Sequence, residues 1–237
     1  MREAIKMVVF DMAGTTVNED NIVYKTLQQV INHIGGYQLT LTEVLEHGAG
    51  KEKLQAIKTV LKNCLNIVDD QLAEQMFQSF LQALENAYEI ADIYPNSNAN
   101  EVFTILNDMS VLRVLNTGYD RKTAESLLRK LNWVVGRDID ALVTASDVSK
   151  NRPYPDMIDF ARTKFAITDP ALVVKIGDSI IDIQEGQNAG CALSIGITTG
   201  AHRSDQLKSA NPDYVIDDLL EIVAIIEKYH APTQVVY

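Results

Sequence analysis

Short apolar runs bounded by polar residues recur along the chain, and each has the length of a buried strand. They are rich in Val, Ile and Leu, which favours strands covered on both faces. From residue 97 onward they alternate with helical stretches at 101–109 and 122–131, the second preceded by Asp120 as a candidate N-cap. This alternation predicts an α/β fold with a parallel sheet. Six strands are predicted, at 5–10, 111–115, 141–143, 172–176, 191–195 and 214–216.

Residues 17–95 lack this alternation of strands and helices, and their pattern predicts an all-helical insert. Apolar residues repeat there at helical spacing in three stretches, and such stripes usually pack against one another. The insert follows the first strand and returns through the turn-rich segment 94–98, so it should lie over that strand's carboxyl end. We therefore predict a core of residues 1–16 and 96–237 and a cap of residues 17–95. The stripes are Val23, Leu27, Val30, Ile31 and Ile34; Leu54, Ile57, Leu61 and Leu65; and Leu72, Met76, Phe80, Leu84 and Ala87.

Composition and charge narrow the class of partner. The chain has 46% hydrophobic and 22% charged residues, which is typical of a globular protein, and its net charge of −11 repels nucleic acids and anionic membranes. An anionic substrate must therefore be held by a local positive cluster or a metal. Two cysteines, Cys64 and Cys191, indicate a reducing, cytoplasmic setting. The apolar run at 7–10 is too short for a signal peptide or membrane span, so no targeting segment is expected.

Four of the predicted strand ends carry reactive side chains. Ligands bind outside the carboxyl ends of parallel strands, so these ends form one candidate site. A carboxylate such as Asp11 can attack phosphorus when a divalent cation, held with Asp178, reduces the repulsion between the two anions. Thr117, Gly118 and Arg152 can bind the phosphoryl oxygens. The segments that carry these side chains are 11–16, 116–119, 150–153 and 177–182.

These segments resemble the four motifs of the haloacid dehalogenase superfamily, and the resemblance spans nearly the whole chain. It implies a Rossmann-like core, a helical cap inserted after the first motif, and Asp11 as the nucleophile. It also implies Mg²⁺ bound by Asp11, the carbonyl of Ala13 and Asp178, with Ser179 and Asp182 in support. The matching residues are Asp11-x-Ala13-Gly14-Thr15, Thr117-Gly118, Arg152-Pro153 and Gly177-Asp178-Ser179-x-x-Asp182.

Ala13 departs from the pattern of the superfamily's phosphatases, which usually carry a second Asp there to protonate the leaving oxygen. Loss of a positioned general acid costs about 10²- to 10⁴-fold in rate. A carbon leaving group needs an electron sink instead, and a lysine that forms an iminium with a neighbouring carbonyl provides one. Lys51 is the candidate: it follows Gly48 and Gly50 and opens a predicted helix, whose macrodipole lowers an amine pKa.

The chain resembles the phosphonoacetaldehyde hydrolase, or phosphonatase, subgroup, which cleaves a phosphorus–carbon bond. The resemblance rests on Ala13, Gly48-x-x-Lys51, Tyr119 and Arg152. The resemblance implies a Schiff base on Lys51 and transfer of the phosphoryl group to Asp11, with cap closure joining the two. The motif residues Gly118 and Tyr119 and the cap residues His47 and Gly48 are candidate substrate contacts.

The chain also departs from the subgroup. The subgroup places a histidine one helical turn beyond the lysine, where this chain has Leu54, so His47 is the candidate proton shuttle. A related substrate, another 2-oxoalkylphosphonate, is therefore expected.

Two alternatives remain open from the sequence. One is a phosphomonoesterase that acts on a small phosphorylated metabolite, and the other is a non-catalytic phosphate-binding module. In each case the expected partners are Mg²⁺ and a small phosphonate or phosphate, without nucleic acid or membrane, in a monomer or homodimer.

Overall fold

A parallel six-stranded sheet forms the centre of the protein in the computed structural model, which describes residues 4–230. The order across the sheet is β5-β4-β1-β6-β7-β8, and the two remaining strands pair separately. The predicted α/β fold class is confirmed. In chain order the strands are β1 (Met7–Asp11), β2 (Val17–Asn18), β3 (Tyr94–Pro95), β4 (Leu112–Thr117), β5 (Ala141–Thr144), β6 (Val173–Gly177), β7 (Leu193–Ile197) and β8 (Tyr214–Ile216).

The position of β1 decides where the reactive residues meet. All five residues of β1 are buried, and the strand pairs with β4 on one side and β6 on the other. The ladder continues past the predicted apolar runs into polar residues, with Asp11 opposite Asn116. It does so because strand pairing uses backbone groups, which polar residues supply as well as apolar ones. The carboxyl ends of β1, β4 and β6 are thus direct neighbours.

Ten helices are described, and they divide into two groups. Helices α5 and α6 confirm the two helical stretches predicted in the core, and no helix within residues 4–230 is long and apolar enough to cross a membrane. The helices are α1 (Ile22–Gly35), α2 (Leu41–Gly48), α3 (Lys53–Leu65), α4 (Asp70–Ile90), α5 (Ala99–Asp108), α6 (Arg121–Leu131), α7 (Asp156–Lys164), α8 (Ile180–Ala189), α9 (Ser204–Ser209) and α10 (Glu221–His230).

Helices α1 to α4 fill the insert between β1 and β4. Their buried faces pack on one another, with Leu27, Ile57 and Phe80 fully covered. The two linkers lie side by side because β2 pairs with β3 in an antiparallel ribbon. The division of the chain into a core and a cap at residues 17 and 95 stays a prediction.

The start of α3 differs from the sequence-based expectation. The helix begins at Lys53, and Glu52 is its N-cap, whose carboxylate accepts hydrogen bonds from the backbone N–H groups of Leu54 and Gln55. The expectation that Lys51 lies in the first helical turn is therefore wrong. Glu52 ends the preceding loop there because its carboxylate satisfies N–H groups that have no partner within the helix. The unfavourable macrodipole acts on Lys53 instead.

The N-cap predicted at Asp120 gives a test of local stability. Its carboxylate accepts a hydrogen bond from Thr123 N at 2.8 Å and another from the Thr123 hydroxyl at 2.9 Å. We expect Asp120→Ala to lower the free energy of unfolding by about 1 kcal/mol, measured by urea denaturation. The matched control is Asp108→Ala at the exposed end of α5, with an expected change within about 0.5 kcal/mol. Equal losses in the two variants would contradict the capping role.

Candidate active site

Three buried carboxylates meet beside the carboxyl end of β1. Asp11 ends that strand and is 6% exposed, Asp178 follows β6, and Asp182 lies in the first turn of α8. Each offers a carboxylate oxygen within 4.8 Å of the others. Burial raises the pKa of Asp178 well above its usual value, and the charges of Asp11 and Asp182 raise it further. This is the arrangement that a cation stabilises.

The Arg152 guanidinium lies among these carboxylates and is 1% exposed. Its Nη1 is 2.7 Å from Asp11 Oδ1, its Nε is 3.0 Å from Glu185 Oε2, and its Nη2 is 2.6 Å from Asn116 Oδ1. Burial lowers the pKa of Arg152, but the charges of the surrounding carboxylates outweigh burial and raise it. Arg152 is therefore a fixed cation, oriented on three sides and in contact with Asp11.

Lys175 is a second buried cation, and the sequence analysis missed it. It lies in β6 with 0% exposure, and its Nζ is 2.7 Å from Asn116 Oδ1, 2.9 Å from Asp182 Oδ1 and 3.3 Å from Glu185 Oε2. The sequence contains a signal for it, since a lysine within an apolar strand buried on both faces must have partners. The partners are Asp182, Asn116, which lies in the predicted segment 116–119, and Glu185, which was not predicted.

Charge balance indicates which ion would fit. With all groups ionised, four buried carboxylates face two buried cations, which leaves a formal charge of −2 that one divalent cation neutralises. The oxygen-only donor set suits Mg²⁺. Because Asp182 is already bound by both cations and by Ser179 Oγ, the carboxylates of Asp11 and Asp178 are best placed to hold the ion. The carboxylates are Asp11, Asp178, Asp182 and Glu185, and the cations are Arg152 and Lys175.

The loop after β4 carries the next predicted group. Thr117 is buried at the end of the strand, and its Oγ1 accepts a hydrogen bond from Tyr119 N at 3.2 Å. Gly118 lies against the insert so closely that an added Cβ would be 2.6 Å from Lys51 O. A side chain at residue 118 would therefore push the insert away from the core.

The loop at residues 49–52 packs directly against the loops that follow β4 and β6. At Gly50, where φ is +72°, an added Cβ would be 2.2 Å from Ile181 Cγ2 and 2.3 Å from Ser179 Oγ. The Gly50 carbonyl also accepts a long hydrogen bond from Arg152 Nη1 at 3.4 Å. The cation that contacts Asp11 thus touches the insert as well.

The Lys51 amine contacts the end of α2. Its Nζ donates a hydrogen bond to His47 O at 2.9 Å, and partial burial lowers its pKa. The expectation that the Lys51 amine meets Asp11 finds no support in these contacts. His47, the predicted shuttle, points its ring toward Asn63, with Nδ1 3.4 Å from Asn63 Nδ2, and Gly48 is buried against α3.

Lys53 supplies the buried amine instead. It is 7% exposed, its Nζ donates to Lys51 O at 3.0 Å, and the nitrogen lies 5.0 Å from the ring centroid of Tyr119 and 5.3 Å from that of Tyr24. Burial lowers the pKa of Lys53, and the negative charge of Asp11 is the strongest influence that opposes it. The insert therefore presents an amine to the core through Lys53.

One signal in the sequence could have identified Lys53 as the buried lysine. It follows Gly50 at the same spacing by which Lys51 follows Gly48, so the glycine pattern alone did not separate the two lysines. Helical periodicity does, because Lys53 stands four residues before Ile57 and thus on the buried face of α3.

The sequence of this chain matches one protein family and several individual relatives. The family model for haloacid dehalogenase-like hydrolases matches residues 8–197. A phosphonoacetaldehyde hydrolase of Latilactobacillus sakei is 31% identical, covering 96% of this chain and 97% of the relative. A phosphoglycolate phosphatase of Vibrio vulnificus is 25% identical, covering 95% and 97%.

Among solved structures, a hydrolase from Pseudomonas syringae superposes with a TM-score of 0.83 at 20% identity, covering 95% of this chain and all of that one. This likeness supports the fold, and the family model supplies the class of chemistry. The family is one of hydrolases, so the protein is an enzyme rather than a non-catalytic module. The chain belongs to the haloacid dehalogenase-like hydrolases.

Proposed function

We propose that this enzyme hydrolyses the phosphorus–carbon bond of a 2-oxoalkylphosphonate, with Asp11 as nucleophile and Lys53 as the Schiff-base lysine. The observation that carries the proposal is the Lys53 amine, buried where the insert meets the core and influenced by the charge of Asp11. Ala13 supports it, because this residue cannot protonate an oxygen leaving group. The missing acid and the buried amine both favour a carbon leaving group.

The surroundings of Lys53 suit imine formation. Burial lowers its pKa, and its place as the first residue of α3 exposes it to the positive end of the helix dipole. Both effects favour the neutral amine, which is the form that attacks a carbonyl carbon. The resulting iminium withdraws electrons from the adjacent carbon–phosphorus bond.

Asp11 then attacks phosphorus while the carbon–phosphorus bond breaks and its electron pair moves toward the iminium, giving an aspartyl phosphate and an enamine. Arg152 Nη1, already 2.7 Å from Asp11 Oδ1, is placed to bind the phosphoryl oxygens as they approach. Thr117 would contribute its hydroxyl from the neighbouring strand end. Protonation of the enamine carbon and hydrolysis of the iminium release the aldehyde and Lys53, and water hydrolyses the aspartyl phosphate.

A divalent ion held by Asp11, Asp178 and the carbonyl of Ala13 would reduce the repulsion between the Asp11 carboxylate and the phosphonate oxygens. Asp182 and Ser179 support this site through their mutual hydrogen bond. We further propose that residues 17–95 act as a cap. Its opening admits substrate, and its closure brings Lys53 to the core and excludes water.

A phosphomonoesterase is the second candidate. The relative named phosphoglycolate phosphatase covers as much of the chain as the phosphonoacetaldehyde hydrolase does, at lower identity. This function would leave Lys53 without a covalent role and would need a general acid other than Ala13. The two functions therefore differ in what Lys53 and Ala13 do, and both can be tested directly.

Mg²⁺ binding should appear as a gain in thermal stability. At a free concentration one hundred times its Kd, the ion would stabilise the folded enzyme by about 2.7 kcal/mol. We expect Mg²⁺ to raise the Tm of the wild type and to leave that of Asp178→Asn unchanged, as measured by calorimetry. Asp205→Asn, at an exposed position of α9, should respond like the wild type. A wild type indifferent to Mg²⁺ argues against the metal site.

The Schiff base is testable by borohydride trapping. Incubation with 2-oxoethylphosphonate followed by reduction should attach a two-carbon adduct to Lys53, which peptide mass spectrometry locates. Lys53→Arg should lose the adduct and turnover, whereas Lys51→Arg is the matched control and should keep both. An adduct on Lys51 instead would overturn the assignment, and full turnover in Lys53→Arg would remove the Schiff-base step.

Restoring the missing acid should change the preferred leaving group. In Ala13→Asp a carboxyl group becomes available to protonate an oxygen leaving group, so hydrolysis of phosphate monoesters should rise by about 10²-fold or more. Ala13→Asn has a similar volume and no acid, and should not show the gain. Single-turnover phosphate release from a panel of phosphonates and phosphate esters measures this, with Asp11→Asn as the inactive reference. Strong monoesterase activity in the wild type would favour the second candidate.

A further inference from the structure

Glu19 is a buried carboxylate that lies outside the group at the strand ends and has no part in the reaction described above. It follows β2 in the linker to the insert and is 3% exposed. Its Oε2 accepts hydrogen bonds from Val23 N and from the Tyr88 hydroxyl, both at 2.9 Å. Carboxylates are rarely buried this deeply unless a cation or hydrogen bonds compensate for the lost water.

A chain of hydroxyl groups leads from Glu19 to the surroundings of Lys53. The Tyr88 hydroxyl lies 2.7 Å from the Tyr119 hydroxyl, and the Tyr119 ring is one of the two over which the Lys53 amine lies. The second ring is that of Tyr24. Ring faces carry partial negative charge, so the two rings favour a cation at the amine. The Glu19 carboxylate is linked to one of these rings through the Tyr88 and Tyr119 hydroxyls.

Four ionisable side chains act on Lys53 through their charge. Asp11 and Arg152 approach from the core, and they are paired with each other, so their effects on Lys53 oppose one another. Glu52 belongs to the same helix, is partly exposed to solvent, and uses both carboxylate oxygens to cap α3. Two of the four are buried anions, where solvent screens charge least. Asp11 is paired with Arg152, whereas Glu19 forms no ion pair among the described residues.

We propose that Glu19 is the counter-charge of the Lys53 nitrogen, holding the iminium formed there in its protonated, electron-withdrawing state inside the closed site. The proposal rests on the role of Lys53 proposed above. Because Glu19 acts on another residue rather than on the substrate, it is a positioning residue.

The chemistry of the imine makes such a group useful. When the Lys53 ammonium condenses with a carbonyl, a C–N bond forms, and the carbonyl oxygen leaves as water with two protons from nitrogen. The positive charge stays on nitrogen, and a neutral imine would be a weak electron sink. Burial disfavours that cation, and a facing carboxylate favours it. Burial raises the pKa of Glu19 to about 7, and the charge of Lys53 opposes this rise, so each charge stabilises the other.

The test is the protonation of an imine on Lys53, read apart from turnover. Salicylaldehyde forms imines whose protonated and neutral states absorb at different wavelengths, and Lys53→Arg identifies the signal that belongs to Lys53. In Glu19→Gln the pH at which this imine loses its proton should fall by about one unit, because the anion that stabilises the cation is gone. Glu19→Asp should recover most of the shift. Asp20→Asn, at the neighbouring exposed acid, is the control and should leave the titration unchanged.

Tyr88→Phe gives an independent reading if Glu19→Gln does not fold. Loss of the hydroxyl donor favours neutral Glu19, so the imine should again lose its proton at lower pH. An unchanged titration in both Glu19→Gln and Tyr88→Phe, or an equal shift in Asp20→Asn, overturns the counter-charge. Absence of any imine on Lys53 in the wild type instead overturns the proposed Schiff base, and the inference about Glu19 with it.

Discussion

The buried charge at the end of β1 is the constraint on which the rest of the site depends. Removing a carboxylate from water costs several kcal/mol even after the protein relaxes, and Asp11, Asp178 and Asp182 are buried together. Two buried cations compensate part of this cost, yet the formal charge of the cluster remains negative. The site is therefore arranged to accept positive charge, which is what an enzyme of negative net charge needs before it can bind an anionic substrate.

Arg152 connects this balance to the insert. The same nitrogen, Nη1, contacts Asp11 Oδ1 and the Gly50 carbonyl, so the orientation of one guanidinium depends on both the core and the loop that covers it. The close approach at Gly50 and Gly118 leaves no room for side chains between them. Small residues at these two places allow the loop beside Lys53 to lie against the strand ends near Asp11, and this close approach is what the proposed reaction requires.

The sequence predicted the fold well because the fold follows from local pattern. Short apolar runs and helical periodicity predict the six strands of the sheet and the amphipathic helices, and neither signal needs knowledge of distant contacts. The strand-end residues Asp11, Arg152 and Asp178 were found for a related reason: parallel topology alone brings the carboxyl ends together. The helical insert and a divalent ion were predicted from the residues and are also implied by the family resemblance, and the boundaries of the cap stay a prediction.

The buried lysine of the insert was harder to predict because the evidence for its burial is tertiary. Lys51 and Lys53 share the same glycine spacing, and only the start of α3 at Lys53 decides which one is buried. Lys175 and Glu185 compensate each other across β6 and α8, so neither suggests a function when considered alone. Residues that act as partners are visible in a sequence only when the position of both partners is known.

The core half and the cap half of this contact have opposite character, and this favours a substrate with two different ends. The core side offers Arg152 and acidic oxygens suited to a metal, which together match a phosphonate dianion. The cap side offers one amine between two aromatic rings, with Glu19 behind them, which matches a carbonyl group that becomes a cation on condensation. A simple phosphate monoester would use only the first half. Lys53 would then be a buried amine without a role in the reaction, which is why we propose a substrate that carries both a phosphonate and a carbonyl.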